Sequence, residues 1–349
     1  MSFKVCFRCD AGIHPEIGTG HITRSLFLAK NFISNNMLKK KDILFLTRND
    51  KGFKLGKKYL EKENLNFEYY SNNELSPNSL SESKIINDFG GNLIILDRLK
   101  TKKSFIKSIK QNGKKVVTFD DLGDGREISD LAVSAIFSNI EQSENLKKGL
   151  NYLILSKQKY KPIKVKKDIS NIVATFGGYD ARDFCKHFLE NLKYLNKDIE
   201  VNIVLGNISK RDFDKYLRFV DKNLDGLNIN FYVMPKNFHE IISKADIAIS
   251  SGGLSIFEFA AYGIPTIGLP QYKHQLKTIQ SLSNEGICIL GSHDMRKSNE
   301  KLTSSINFLI DDFLSRKSMS EKAIKKVDGD GINRINNLFK HNFGDIFHG

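Results

Sequence analysis

The chain has 349 residues, enough for two domains of roughly 150 to 180 residues each. With 40% hydrophobic and 27% charged residues it reads as globular; no apolar run reaches the roughly 18 residues of a spanning helix, and Lys4 and Arg8 interrupt the N-terminus too early for a signal peptide, so a cytoplasmic protein is expected. The formal charge of +14 falls largely on Lys clusters without zinc-finger spacing, a basic zipper or interleaved aromatics, which argues against nucleic acid and stays compatible with a basic surface that visits the inner membrane leaflet as a peripheral contact.

In the first half, strands are predicted at residues 4–8, 43–47, 67–70, 93–96, 116–119 and 131–135, and helices at 21–33, 52–62, 82–88 and 103–111. Residues 138–169 are polar and Lys-rich except for 152–155 and read as an interdomain linker. The pattern then restarts with strands at 172–175, 201–205, 229–233 and 247–250, and helices up to 194, at 211–220 and at 238–244. Helices after Asn299 are Lys-rich and amphipathic, and the last can return to the first domain. This alternation predicts α/β layers with mainly parallel sheets. The expected division is 1–150 for an N-terminal domain and 151–349 for a C-terminal one. Ligands of open α/β sheets bind outside the carboxyl ends of the strands, so the ligand is expected in a cleft between the two.

Cys6-Phe7-Arg8-Cys9 matches C-x-x-C, but Cys6 lies inside a strand, where residues three apart face opposite sides; packing is the expected role. The first strand leads into Gly18-Thr19-Gly20-His21, which opens a helix. A strand that breaks into glycines and restarts as a helix leaves backbone N–H groups suited to an anion. His21 at its mouth can take a proton from water or a hydroxyl, the alternative being a solvated capping histidine. A second such turn is Ser250-Ser251-Gly252-Gly253-Leu254-Ser255, with Glu258 one helical turn later, in reach of a ribose; the alternative there is a tight turn with a surface Glu. Gly177-Gly178 provides another close-approach turn, and Met234-Pro235 could offer backbone amide groups to a base. His274-Gln275 follows a further strand end at 266–270.

Arg8-Cys9-Asp10, Ile17 to Arg24, Phe119-Asp120-Asp121, Thr175 to Asp180 and Met234 leading to 245–250 resemble the UDP-sugar hydrolase of pseudaminic acid biosynthesis and the related spore-coat polysaccharide proteins, over about residues 4–290. Ser251 to Glu258 and His274-Gln275 also look like the nucleotide-binding half of the lipid II glycosyltransferase of peptidoglycan synthesis. The resemblance implies the GT-B fold, two Rossmann-like domains facing across a cleft, with UDP on the C-terminal domain and the sugar toward the N-terminal one. It implies that His21 activates water for inverting attack on the anomeric carbon of a UDP-linked N-acetylated amino or deoxy sugar, without a metal; no cofactor is expected, and the chain is expected to be a monomer. The alternative is a GT-B glycosyltransferase that moves such a sugar to a lipid or saccharide hydroxyl. A catalytically silent sugar-nucleotide binding protein is a third possibility. Substrate contacts are expected from Arg8, Asp10, Gly18, Gly20, Arg24 and Asp97 in the first domain. In the second they are expected from Gly177, Gly178, Met234, Gly252, Gly253, Leu254, Ser255, Glu258, His274 and Gln275. The chain departs from the hydrolase pattern at Leu99, where a Tyr is usual, and at His274, where an Asn is usual; His274 favours the transferase alternative.

Overall fold

Runs of β-branched and aromatic residues, each followed by an amphipathic stretch, build two separate parallel sheets wound by helices. The structure, a computed structural model, describes residues 3–12, 17–71, 73–111, 113–137, 140–156, 160–194, 198–291 and 298–348.

The first unit contains β1 (Phe3–Cys9), α1 (Gly20–Ser34), β2 (Ile43–Arg48), α2 (Leu55–Glu63), β3 (Phe67–Tyr70), α3 (Leu80–Asp88), β4 (Gly90–Asp97), α4 (Lys103–Lys110), β5 (Lys115–Phe119), β6 (Leu131–Ser134) and β7 (Leu146–Lys148). Among the described residues its strands form a seven-stranded sheet in the order β3-β2-β1-β4-β5-β6-β7. The register pairs Phe7 with Phe45 on one side and Ile95 on the other, and Cys9 with Asp97. Val5, Phe7 and Cys9 face a core shared with Ile22, Leu26 and Phe32 of α1, whereas Cys6 faces Ile86, Phe105 and Ile109 of α3 and α4. The two thiols therefore pack on opposite faces, and burial pushes that of Cys6 up to about 12, as a packing role requires.

The second unit contains β8 (Asn171–Thr175), α5 (Phe184–Asn191), β9 (Glu200–Leu205), α6 (Lys210–Asn223), β10 (Asn228–Val233), α7 (Phe238–Ile242), β11 (Ile247–Ser251), α8 (Leu254–Tyr262), β12 (Thr266–Leu269), α9 (Lys273–Asn284), β13 (Ile289–Leu290), α10 (Ser298–Asp311) and α11 (Phe313–Lys326). Its sheet among the described residues runs β10-β9-β8-β11-β12-β13. Both sheets thus reverse direction beside their first strand, between β1 and β4 and between β8 and β11. Loops leave such a switch point in opposite directions, which opens a crevice at the carboxyl ends.

The final helix, α12 (Gly331–His348), belongs to the first unit. Phe339 and Phe347 lie with ring centroids 5.1 and 5.5 Å from Phe32, Asn336 donates to Asn31, and a side chain at Gly331 would collide with the Leu153 backbone. The units are accordingly Met1–Gln158 with Gly329–Gly349, and Lys159–Asp328, so the boundary lies at 158/159 rather than 150/151 and the second unit stops short of residue 349. The linker expected over 138–169 is also shorter. Leu146 pairs with Ala132 as an edge strand, and Ile140, Leu146 and Ala132 share a small core. One apolar residue followed by two lysines is too little alternation to read as a strand. Among the described residues no helix is long and apolar enough to cross a membrane.

Candidate active site

In the first unit, β1 ends at Cys9 beside Asp97 at the end of β4, and α1 begins at Gly20. Neither Gly18 nor Gly20 needs a left-handed backbone, and a Cβ at either would meet nothing within 4 Å. The glycines therefore keep the space over the turn open. Thr19 occupies the N-cap but its side chain makes no capping hydrogen bond, so the first N–H groups of α1 receive no side-chain acceptor from it.

His21, the second residue of α1, is partly buried, with Nδ1 2.6 Å from Asp97 Oδ1. Burial alone would raise the Asp97 carboxyl, but the Arg24 guanidinium, its hydrogen bonds and His21 outweigh that and hold it at about 2. An ionised carboxylate can only accept, so Nδ1 carries the proton that it donates, and the Nε2 edge of the ring is the one turned away from Asp97. Arg24, one turn further along α1, donates from Nε and Nη2 to the two Asp97 oxygens at 2.9 and 2.6 Å, and from Nη1 to Asp120 Oδ2. Ser25 Oγ adds a bond to Asp97 Oδ2 at 3.2 Å.

Behind this group lies a second charged network. Arg8, fully buried, donates from Nε to Glu82 at 2.7 Å, from Nη1 to Asp10 at 2.6 Å and from Nη2 to the Leu75 carbonyl at 3.3 Å. Arg48 grips Asp10 through its backbone N–H and its Nε, both at 2.9 Å, and Arg98 grips Glu82 with two bonds at 2.9 and 2.6 Å. Asp10 is held at about 2: burial would raise it, but Arg8 and then Arg48 lower it further. Arg8, Asp10, Arg24 and Asp97 were expected to contact substrate; here their polar atoms are bound to one another and to His21, Ser25, Arg48, Leu75, Glu82 and Asp120, because bringing such charges into a core requires pairing each one. They shape the site from within.

In the second unit the turns are built from backbone. Gly177 adopts φ +81°, a conformation that favours glycine, and Asn207 N–H donates to the Gly178 carbonyl at 2.8 Å. The fit is so close that a Cβ at Gly206 would lie 2.5 Å from the Gly177 oxygen. A Cβ at Gly252 would sit 2.8 Å from that of Gln275, so glycine lets α9 lie against the turn after β11. Gly253 is the N-cap of α8, without a side-chain cap, and a Cβ there would meet nothing within 4 Å. Half-buried Leu254 and Ser255 form the start of that helix, while Glu258 is 4% exposed, its Oε1 3.9 Å from His239 Nε2.

Gln271 stitches these turns together. It donates to the Phe176 carbonyl at 2.6 Å, accepts from Ala181 N–H at 2.8 Å and, through its own N–H, donates to Gln275 Oε1 at 2.8 Å. Gln275 is therefore a brace for the turn, and the His274 ring stacks on Tyr272 at 5.7 Å. Met234 sits at φ +46° and gives its N–H to the Leu205 carbonyl. Pro235 has no N–H, so the amide groups expected to greet a base are absent and the backbone there can offer only carbonyls. Asp180 caps α5 by accepting from Phe184 and Cys185 N–H at 3.0 and 2.8 Å, and burial raises its carboxyl to about 6.

Sequence reasoning missed Arg48, Glu82, Arg98, Gly206, His239 and Gln271. It quoted Asp120 only within a motif. Each is a single residue at a strand end or helix start, where no periodicity marks it.

Residues 171–335 match the glycosyltransferase family 28 C-terminal domain. The chain is 27% identical over 290 residues to the uncharacterized protein MJ1062 of Methanocaldococcus jannaschii, a match covering 78% of this chain and 56% of that protein, so the chain spans little more than half of that relative. It is 25% identical over 260 residues to the spore coat polysaccharide biosynthesis protein SpsG of Bacillus subtilis, covering 70% and 74% of the two. Among solved structures, MurG of Acinetobacter baumannii superposes with a TM-score of 0.68 at 14% identity, covering 97% of this chain and 99% of that one. Anabaena Alr3699/HepE in complex with UDP gives 0.62 at 14% identity, covering 97% and 100%. The chain thus has two parallel-sheet α/β domains with GT-B glycosyltransferases among its structural neighbours, and its sequence is glycosyltransferase-like. The matched family is one of transferases and no relative named here is called a hydrolase, so the findings back the transferase alternative above the hydrolysis expected first.

Proposed function

We propose that the protein transfers a sugar from a UDP-sugar to a hydroxyl of a lipid or saccharide acceptor, on the cytoplasmic side of surface-polysaccharide synthesis. The observation that carries this reading is the His21–Asp97 pair beneath an open glycine turn at the carboxyl end of β1. With Nδ1 bound to a carboxylate, Nε2 accepts the acceptor's proton as its oxygen bonds to the anomeric carbon and the carbon–phosphate oxygen bond breaks, inverting that centre. UDP then leaves with the electron pair. The uncapped start of α8, reached through Gly252 and Gly253, suits the departing diphosphate, since its N–H groups point outward from a helix N-terminus. Glu258, one turn further along, is assigned to the ribose hydroxyls. The polysaccharide role named for the Bacillus relative and the UDP held by the Anabaena neighbour support the substrate class.

The test is the release of free UDP by the purified protein from a panel of UDP-sugars, with and without lipid and saccharide acceptors. Release that depends on an added acceptor is expected. Equal release in water alone, with free reducing sugar formed, overturns transfer in favour of hydrolysis; UDP binding with no turnover in either condition leaves a binding protein.

A further inference from the structure

A base that works through one tautomer must have its partner carboxylate held still, and the first unit contains a device for that. We propose that Asp120, acting through Arg24, is a positioning residue for His21; the inference rests on His21 being the base of the reaction proposed above. His21 and Arg24 lie three apart on α1, so both side chains leave the same face toward Asp97. Arg24 takes both oxygens of that carboxylate, at 2.9 and 2.6 Å, and Ser25 adds a bond to Oδ2. Rotation of the Asp97 carboxylate would break all of these together, so Oδ1 stays directed at His21 Nδ1.

Arg24 needs an anchor of its own, because a guanidinium on a four-bond stem has many rotamers. Its remaining Nη1 donates to Asp120 Oδ2, and the Phe119 ring lies 5.5 Å from its central carbon. Asp120 is itself fixed at three points. Its Oδ1 accepts from Ile136 N–H at 2.9 Å, its N–H donates to the Val133 carbonyl at 2.8 Å, and its backbone is held at φ +47°. A non-glycine residue stays in that region where its surroundings over-determine it, and such residues cluster at functional sites. The chain Asp120–Arg24–Asp97–His21 therefore ties the carboxyl ends of β5 and β4 to the start of α1. Its charges also fit the reaction: two carboxylates and one guanidinium leave one negative charge beside the imidazole that becomes cationic when it takes a proton.

The experiment uses the full chain with ¹⁵N-labelled histidine and compares Asp120→Ala, Asp120→Asn and Arg24→Lys with the unaltered protein. The His21 ring signal is expected to report a single Nδ1–H tautomer in the unaltered protein and a mixture in Asp120→Ala and Arg24→Lys. The kcat for UDP release should fall by about 10- to 100-fold in both, with KM for the UDP-sugar within about twofold. Asp120→Asn keeps an acceptor oxygen and should recover most of the loss, which a general loosening of the fold would not allow. A folded Asp120→Ala protein with unchanged tautomer and rate overturns the inference; if that variant does not fold, an unchanged tautomer and rate in Arg24→Lys do the same. Turnover retained by His21→Asn would instead remove the base on which the inference stands. An inactive His21→Asn beside a fully active Asp120→Ala leaves that base in place and sinks only the positioning role.

Discussion

The two units repeat one strand order around one kind of switch point, yet they furnish it in opposite ways. At the carboxyl ends of β1, β4 and β5 the first unit assembles ionisable side chains, His21, Asp97, Arg24 and Asp120, with Arg8, Asp10, Glu82, Arg48 and Arg98 behind them. At the carboxyl ends of β8 and β11 the second unit offers glycines, bare helix amides and a glutamine stitch. The topology supplies only the place, and the residues set there decide between moving a proton and holding an anion.

The sharpest way to test this division of labour is to damage each site alone. His21→Asn should lower turnover by roughly 10²- to 10⁴-fold with UDP affinity little changed, and Glu258→Ala should weaken UDP binding by about tenfold or more while saturated turnover persists. Calorimetric titration with UDP beside steady-state kinetics reads both, and UDP binding lost in the histidine variant would make His21 a phosphate ligand. Next in size, Gly206→Val drives methyl groups into the Gly177-Gly178 backbone and should destabilise by about 1–3 kcal/mol. Hydrogen exchange should show lost protection around β8 and β9, with the first unit unaffected; uniform exchange across both units would refute the local account.

Acid separates the units more gently. Asp97 and Asp10, held at about 2, add stability that is complete above pH 4 and lost as pH falls from about 4 to 2. Asp180, raised to about 6 by burial, binds its proton earlier in the folded chain, so stability grows as pH falls from about 6 to 4. Each shift corresponds to roughly 2–3 kcal/mol. Exchange protection near α5 should therefore rise between pH 7 and 5 and that near α1 fall below pH 4, and Asp180→Asn should flatten the first trend.

Much of the scaffold was legible because central parallel strands are apolar on both faces, as in Val5 to Phe7, 93–96 and 247–249, and stand out from the lysines around them. The glycine turns and His21 were legible for a related reason, since a strand that breaks into glycines before a helix is a local event. The edge strand β7 carries one inward residue, Leu146, followed by two lysines, and looks like linker. Phe339, Phe343 and Phe347 form a visible helical stripe, but nothing in their spacing says which sheet it covers. The ion network was hidden for the same reason: Arg8 meets Glu82 across 74 positions and Arg24 meets Asp120 across 96, and pairing at that range is a property of the folded chain alone.

The return of α12 to the first unit also orders events at the ribosome. Residues 159–328 emerge as one uninterrupted stretch holding every element of their own sheet, whereas the core between α1 and the first sheet lacks part of its packing until the phenylalanines of α12 are translated. The half that is made first is thus completed after the other, and the apolar residues that await α12, Phe32 and Phe119 among them, are what folding helpers in the cell would have to shield during synthesis.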